Sequence, residues 1–112
     1  MRRFILTMCV AASMVSPVMA DNAPPTGAWL SENCSEKGVN WSSGYCLGYI
    51  NGVAEALNQE GKLVCFPPGV NGGQVQKIAV KYLEDHPEHH HLRSIWLVAR
   101  ALHLAFPCEQ QP

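Results

Sequence analysis

Charge is scarce in this chain, and it is nowhere gathered into a patch of one sign. Asp, Glu, Lys and Arg make up 15% of the 112 residues. Beyond residue 20 the cations are Lys37, Lys62, Lys77, Lys81, Arg93 and Arg100, set against nine acidic residues, for a formal charge of −3. With no basic patch, nucleic acid is a poor candidate partner. After the first twenty residues no long apolar run follows, so that part of the chain is expected to be soluble, with no stable membrane anchor. Sustained alternation of apolar and polar positions is absent, which argues against a sheet. There is no Gly-x-Ser-x-Gly and no serine with an arranged base partner, so a serine nucleophile has no support. Close cysteine pairs of the kind that bind zinc are missing as well.

The amino terminus, by contrast, is informative. Arg2 and Arg3 precede a mostly apolar run from Phe4 to Val15, and Val18-Met19-Ala20 supplies modest side chains at a cleavage site. This is the pattern of a secretory signal peptide, too short to remain as a membrane span. Cleavage after Ala20 predicts an exported chain: a flexible start over residues 21–26, one small domain over 27–108 and a tail over 109–112.

Cysteine usage agrees with export. Without Cys9, four cysteines remain, Cys34, Cys46, Cys65 and Cys108, separated by 12, 19 and 43 residues. An even number in a small exported domain reads as a disulfide framework. Oxidised thiols are unavailable as nucleophiles, which weakens an enzyme reading further. Three connectivities are open. An up-down-up layout of the last three helices would join Cys65 to Cys108 and leave Cys34 for Cys46; the sequence alone does not choose.

The periodicity predicts an all-α domain, a small disulfide-stapled bundle of about four helices. A short helix spans about Ala28 to Ser35. A second runs from about Gly44 to Gln59, capped by Ser42 or Ser43 and stopped at Gly61. Its Gly44, Gly48 and Gly52 form one stripe. Each interior glycine costs about 1 kcal/mol relative to alanine. Close approach of a neighbouring helix would offset that cost; a dimer seam is the functional alternative. Cys65-Phe66-Pro67-Pro68-Gly69 is a rigid, non-helical connector. Asn71 caps the third helix with Gln74 three residues on, Val70 and Val75 have staple spacing, and Val75, Ile78, Ala79, Tyr82 and Leu83 share a face. Pro87 suits the first position of the fourth helix. Leu92, Ile95, Trp96, Ala99, Leu102, His103 and Phe106 then form its apolar face, ended by Pro107. Trp29, Trp41 and Trp96 are expected as core anchors, with Trp29 or Trp41 alternatively on a binding surface.

His86, His89, His90 and His91 cluster beside Asp85 and Glu88. Imidazole and carboxylate are metal ligands, but the spacing fits no metal motif and the expected reading is an exposed polar connector. Charged imidazoles at a helix start would oppose its dipole, so a connector that loosens in acid is a second reading. His103 is expected to be a hydrogen-bonded core or interface residue.

Several pieces, in order, resemble one family. Tyr45-Cys46-Leu47-Gly48-Tyr49-Ile50-Asn51-Gly52-Val53 is similar to its Cys-x-Gly-Tyr-Ile-x-Gly helix. Val64-Cys65-Phe66-Pro67 resembles its Cys-x-Pro connector. Tyr82-Leu83, His86-Pro87-Glu88, Ala101-Leu102 and Ala105-Phe106-Pro107-Cys108 resemble its later signposts. The family is the Rap/Tai group of type VI secretion immunity proteins. The resemblance implies a small, all-α, disulfide-bonded periplasmic protein, often a homodimer, with no cofactor and no catalysis of its own. It also implies a partner, a peptidoglycan amidase effector whose cleft is occluded by a protruding segment. Asp85, His86, Glu88, His89 and His90 are the expected contact residues. The alternative from the residues themselves is a periplasmic histidine-rich metal-binding or acid-stress protein.

Overall fold

The computed structural model describes residues 23–35 and 40–108. The expected signal segment, residues 21 and 22 of the expected start, and the tail lie outside the described residues.

Four helices follow in order: α1 (Gly27–Ser35), α2 (Trp41–Glu60), α3 (Gly72–Asp85) and α4 (Ser94–Ala105), with a single 3-10 turn at Pro87–His89. No strand is present among the described residues; two isolated bridges pair Thr26 with Arg93 and Val64 with Pro107. α2, α3 and α4 pack on one another, and α1 lies against all three. Leu30, Ile50, Val64, Leu83, Val98 and Leu102 are fully buried at the centre. Each contributes about 1.5–3 kcal/mol by leaving water.

Local signals explain the helix limits. Asn40 caps α2: its side chain accepts the Ser43 N–H at 2.8 Å, and the Ser43 hydroxyl accepts the Asn40 N–H at 3.1 Å. The helix therefore starts earlier than a cap at Ser42 or Ser43 would allow, because Asn40 and Ser43 satisfy two orphan donors reciprocally. Gly61 ends it in the left-handed conformation, with φ of 62°, a position that glycine takes without steric cost. Asn71 caps α3 by accepting the Gln74 N–H at 2.9 Å. Val75, Ala79, Tyr82 and Leu83 are buried along its inner face, and Ile78 packs against them.

Three expectations are corrected. First, the glycine stripe of α2 does not receive a neighbour: a Cβ built at Gly44, Gly48 or Gly52 would meet nothing within 4 Å. The buried residues of α2 are Cys46, Ile50 and Ala54, on the other side of the helix. Second, α4 starts at Ser94, not at Pro87, and its buried face is Ser94, Leu97, Val98, Ala101 and Leu102. Ile95 is 47% exposed and Trp96 59% exposed. Apolar residues surround α4 on nearly every side, so hydrophobicity alone leaves the rotation of the helix undetermined. Third, Trp41 is 83% exposed; of the three tryptophans only Trp29 packs on the core, and its ring also meets the exposed Tyr45 edge-on at 4.8 Å.

The cysteines pair as Cys34–Cys46 and Cys65–Cys108. The first ties α1 to α2. The second closes the connector after α2 onto the end of α4. There the Cys65 N–H also donates to the Phe106 carbonyl at 3.0 Å, and Phe66 meets Phe106 edge-on at 5.2 Å.

Candidate functional site

The segment from His86 to Arg93 joins α3 to α4 and carries most of the expected contact residues. α3 ends with carbonyls that its own backbone cannot satisfy. Two histidines satisfy them. His86 Nδ1 lies 2.8 Å from the Tyr82 carbonyl, and His90 Nε2 lies 2.7 Å from the Leu83 carbonyl. A carbonyl only accepts, so each of these ring nitrogens carries a proton. The remaining ring nitrogens, His86 Nε2 and His90 Nδ1, are therefore acceptors in the neutral rings. Histidine at the C-terminal end of a helix also agrees with the helix dipole when it is charged.

This reverses one sequence expectation. None of the histidines stands at the start of α4, where charge would oppose the dipole; His86 and His90 close the end of α3, where charge accords with it. The helix-dipole ground for acid loosening therefore does not apply to His86 and His90.

Aromatic stacking orders the same turn. The His86 ring lies on Tyr82 at 4.1 Å, and the His89 ring lies on His86 at 5.5 Å, with planes 8° apart. Backbone bonds tighten it further: His89 N–H to His86 O at 3.0 Å, His90 N–H to Pro87 O at 3.2 Å, and Leu92 N–H to His89 O at 2.9 Å. Asp85 and Glu88 stay exposed, as does His91, whereas His86, His89 and His90 are half-buried. Of the five expected contact residues, then, the two carboxylates are the exposed ones, Asp85 bonded to Lys81 and Glu88 3.9 Å from the His89 ring. His86 and His90 each spend one ring nitrogen on the fold. Lys81 holds Asp85 at 2.9 Å on the surface; that hydrogen bond and the carboxylate charge raise the lysine above its ordinary value.

The connector is held from its other side by the amino-terminal segment. The Ser94 N–H donates to the Pro25 carbonyl at 2.9 Å, the Gly27 N–H to the Leu92 carbonyl at 2.8 Å, and the Ala28 N–H to the His90 carbonyl at 2.9 Å. The fully buried Ser94 hydroxyl also donates to the Pro25 carbonyl at 3.0 Å. Its single proton being spent there, the Tyr49 hydroxyl must donate to it, at 2.7 Å. The start expected to fray is thus bound to the domain from Pro25 onward. Sequence reasoning missed these residues because the partners lie 69 positions apart in the clearest pair, Pro25 and Ser94.

Among the described residues, no three His, Cys, Asp or Glu side chains come together in a way that could hold an ion. His103, on α4, serves the fold: its Nδ1 donates to the Leu63 carbonyl at 2.7 Å. No helix among the described residues is long and apolar enough to cross a membrane.

A family model described as Rap1a immunity proteins matches residues 26–108. No curated protein and no solved structure matches the chain.

Proposed function

Because the chain belongs to the Rap1a immunity protein family, whose members act by binding and not by catalysis, we propose that it is a periplasmic protein that inhibits a type VI secreted peptidoglycan amidase. The connector is the inhibitory surface. Asp85 and Glu88 meet polar groups of the enzyme cleft, and His86, His89 and His90 shape the turn that presents them. One observation carries this reading: an exposed acidic turn is held by hydrogen bonds to two separate helices, at Tyr82 and Leu83 on α3 and at Gly27 and Ala28 on α1. A segment ordered before docking loses little entropy when it binds. The export pattern of the first twenty residues and the two disulfides agree with a periplasmic location.

Co-expression tests this directly. A cysteine–histidine amidase encoded beside the gene, sent to the periplasm, should lyse cells that lack this protein and spare cells that make it. Lysis in both would end the reading.

The bare glycine face of α2 supports a second element, a homodimer seam. Trp41 stands 83% exposed at the start of a strip with no Cβ and no neighbour. A ridge and a flat strip on one surface are the self-complementary parts that a two-fold contact requires. Sedimentation should show a dimer for the oxidised chain and a monomer for Gly48→Leu; a monomeric wild type would remove this element.

A further inference from the structure

We infer that the amino-terminal segment Pro25–Ala28 is a positioning element for the acidic connector, so that the inhibitory turn is set by residues outside it. The inference rests on the reading of the connector as the inhibitory surface, and extends it to what controls that surface.

The first backbone N–H groups of a helix have no partner within the helix. In α1 two of them, on Gly27 and Ala28, donate to Leu92 and His90 of the connector at 2.8 and 2.9 Å. Thr26 pairs with Arg93 as an isolated bridge, and Pro25 receives both the backbone and the side-chain donors of Ser94. Four consecutive residues thus meet the last part of the connector and the first residue of α4. His90 is the pivot. Its ring donates to Leu83 on α3, and its carbonyl accepts from Ala28 on α1. The residue joins the two braces; it is a positioning residue and not a contact residue.

Gly27 is the tightest point. A Cβ there would stand 3.2 Å from His90 Cα and 3.4 Å from the His90 carbonyl oxygen, and it would collide with a methyl of Leu97. The Leu97 methyl ends a side chain that can turn away. The His90 backbone cannot move without moving the turn that carries Glu88. An alanine there would oblige the His90 backbone to give way by a few tenths of an ångström.

Amide exchange on the full oxidised chain tests the proposal without any partner. In the wild type, the amides of Gly27, Ala28 and Ser94 should open together with those of His90 and Leu92, with the same protection. Independent exchange, with the first three behaving as free amides, would overturn the proposal even if no variant folds. Gly27→Ala should speed exchange at His89, His90 and Leu92 by about tenfold or more while leaving α2 and the first two turns of α3 protected. Ala28→Pro removes one donor within the first turn, where proline is tolerated, and should act in the same direction. Leu97→Ala is the control for general loosening: it should speed exchange along α4 without a selective effect on the connector. Unchanged connector exchange in folded Gly27→Ala and Ala28→Pro would overturn the proposal.

A second arm uses the neighbour-encoded amidase. If Gly27→Ala frees the connector, affinity falls by the fraction of molecules that keep the docked turn, about tenfold for a turn docked one-tenth of the time. Loss of exchange protection with no amidase binding by the wild type would refute the amidase reading and leave the brace standing. Tight wild-type binding with an unaffected Gly27→Ala variant would do the reverse.

Discussion

Two irregular segments dock at opposite ends of α4, and they are held by different means. At its carboxyl end, the connector after α2 is bound covalently by Cys65–Cys108, with the Val64–Pro107 bridge and the His103–Leu63 bond beside it. At its amino end, the connector from His86 to Arg93 has a bridge and histidine-to-carbonyl bonds of the same kind, but no disulfide. The two ends share a noncovalent pattern, and only one adds a covalent tie. The covalent end contributes mainly by restricting the unfolded chain. The other end contributes nothing of that sort; its contacts fix the shape of a surface. That surface is also where the exposed Asp85 and Glu88 lie.

Breaking each end should therefore have different consequences. The largest loss of stability is expected for Cys65→Ser with Cys108→Ser. The bridge spans 43 residues, and removing such a closure costs about 3–4 kcal/mol in the chain-entropy model. Denaturant unfolding checks this, and a near-wild-type midpoint would contradict the covalent role. Ser94→Ala strikes the amino end. It leaves the half-buried Tyr49 hydroxyl without its acceptor and the Pro25 carbonyl with one donor fewer, a loss of about 1–2 kcal/mol. Unlike the cysteine pair, it should also speed amide exchange in the connector. His103→Ala should cost less, about 1 kcal/mol for one carbonyl near the surface, with the disulfide still holding Leu63 close; a loss as large as that of the cysteine pair would erase the contrast.

The smallest effect is expected at Lys81→Met. Its partner Asp85 is exposed, and surface ion pairs contribute little. The lysine is raised above its ordinary value, so the contribution of its charge is fully present below that value and is lost only as alkali carries it through the raised one. Thermal midpoints of wild type and Lys81→Met should coincide at neutral pH and in mild acid.

The contrast also explains what could be read from residues alone. α3 was legible because Asn71, the Val75–Leu83 spacing and the proline after Asp85 all point the same way. The limits of α2 were nearly so; Asn40 was overlooked because Ser42 and Ser43 are equally good caps by type. The rotation of α4 was not legible, since Ile95 and Trp96 are as apolar as Leu97 and Val98 and only tertiary contact separates them. The glycine stripe misled for a related reason: spacing shows that Gly44, Gly48 and Gly52 share a face but not what that face meets. The amino-terminal brace was invisible because it is made chiefly of backbone groups far apart in the chain. The exposure of Asp85 and Glu88 is legible from the polar composition of their segment, whereas the division of the histidines into anchors and presented groups requires the positions of the α3 carbonyls.

Titration calorimetry of the oxidised chain against the neighbour-encoded amidase, with wild type beside Asp85→Ala/Glu88→Ala, tests the central claim most directly. Both carboxylates are exposed, so the double variant should unfold at the wild-type midpoint while binding at least about tenfold more weakly, as expected when contact residues are truncated. Equal affinity for the two proteins would contradict the account.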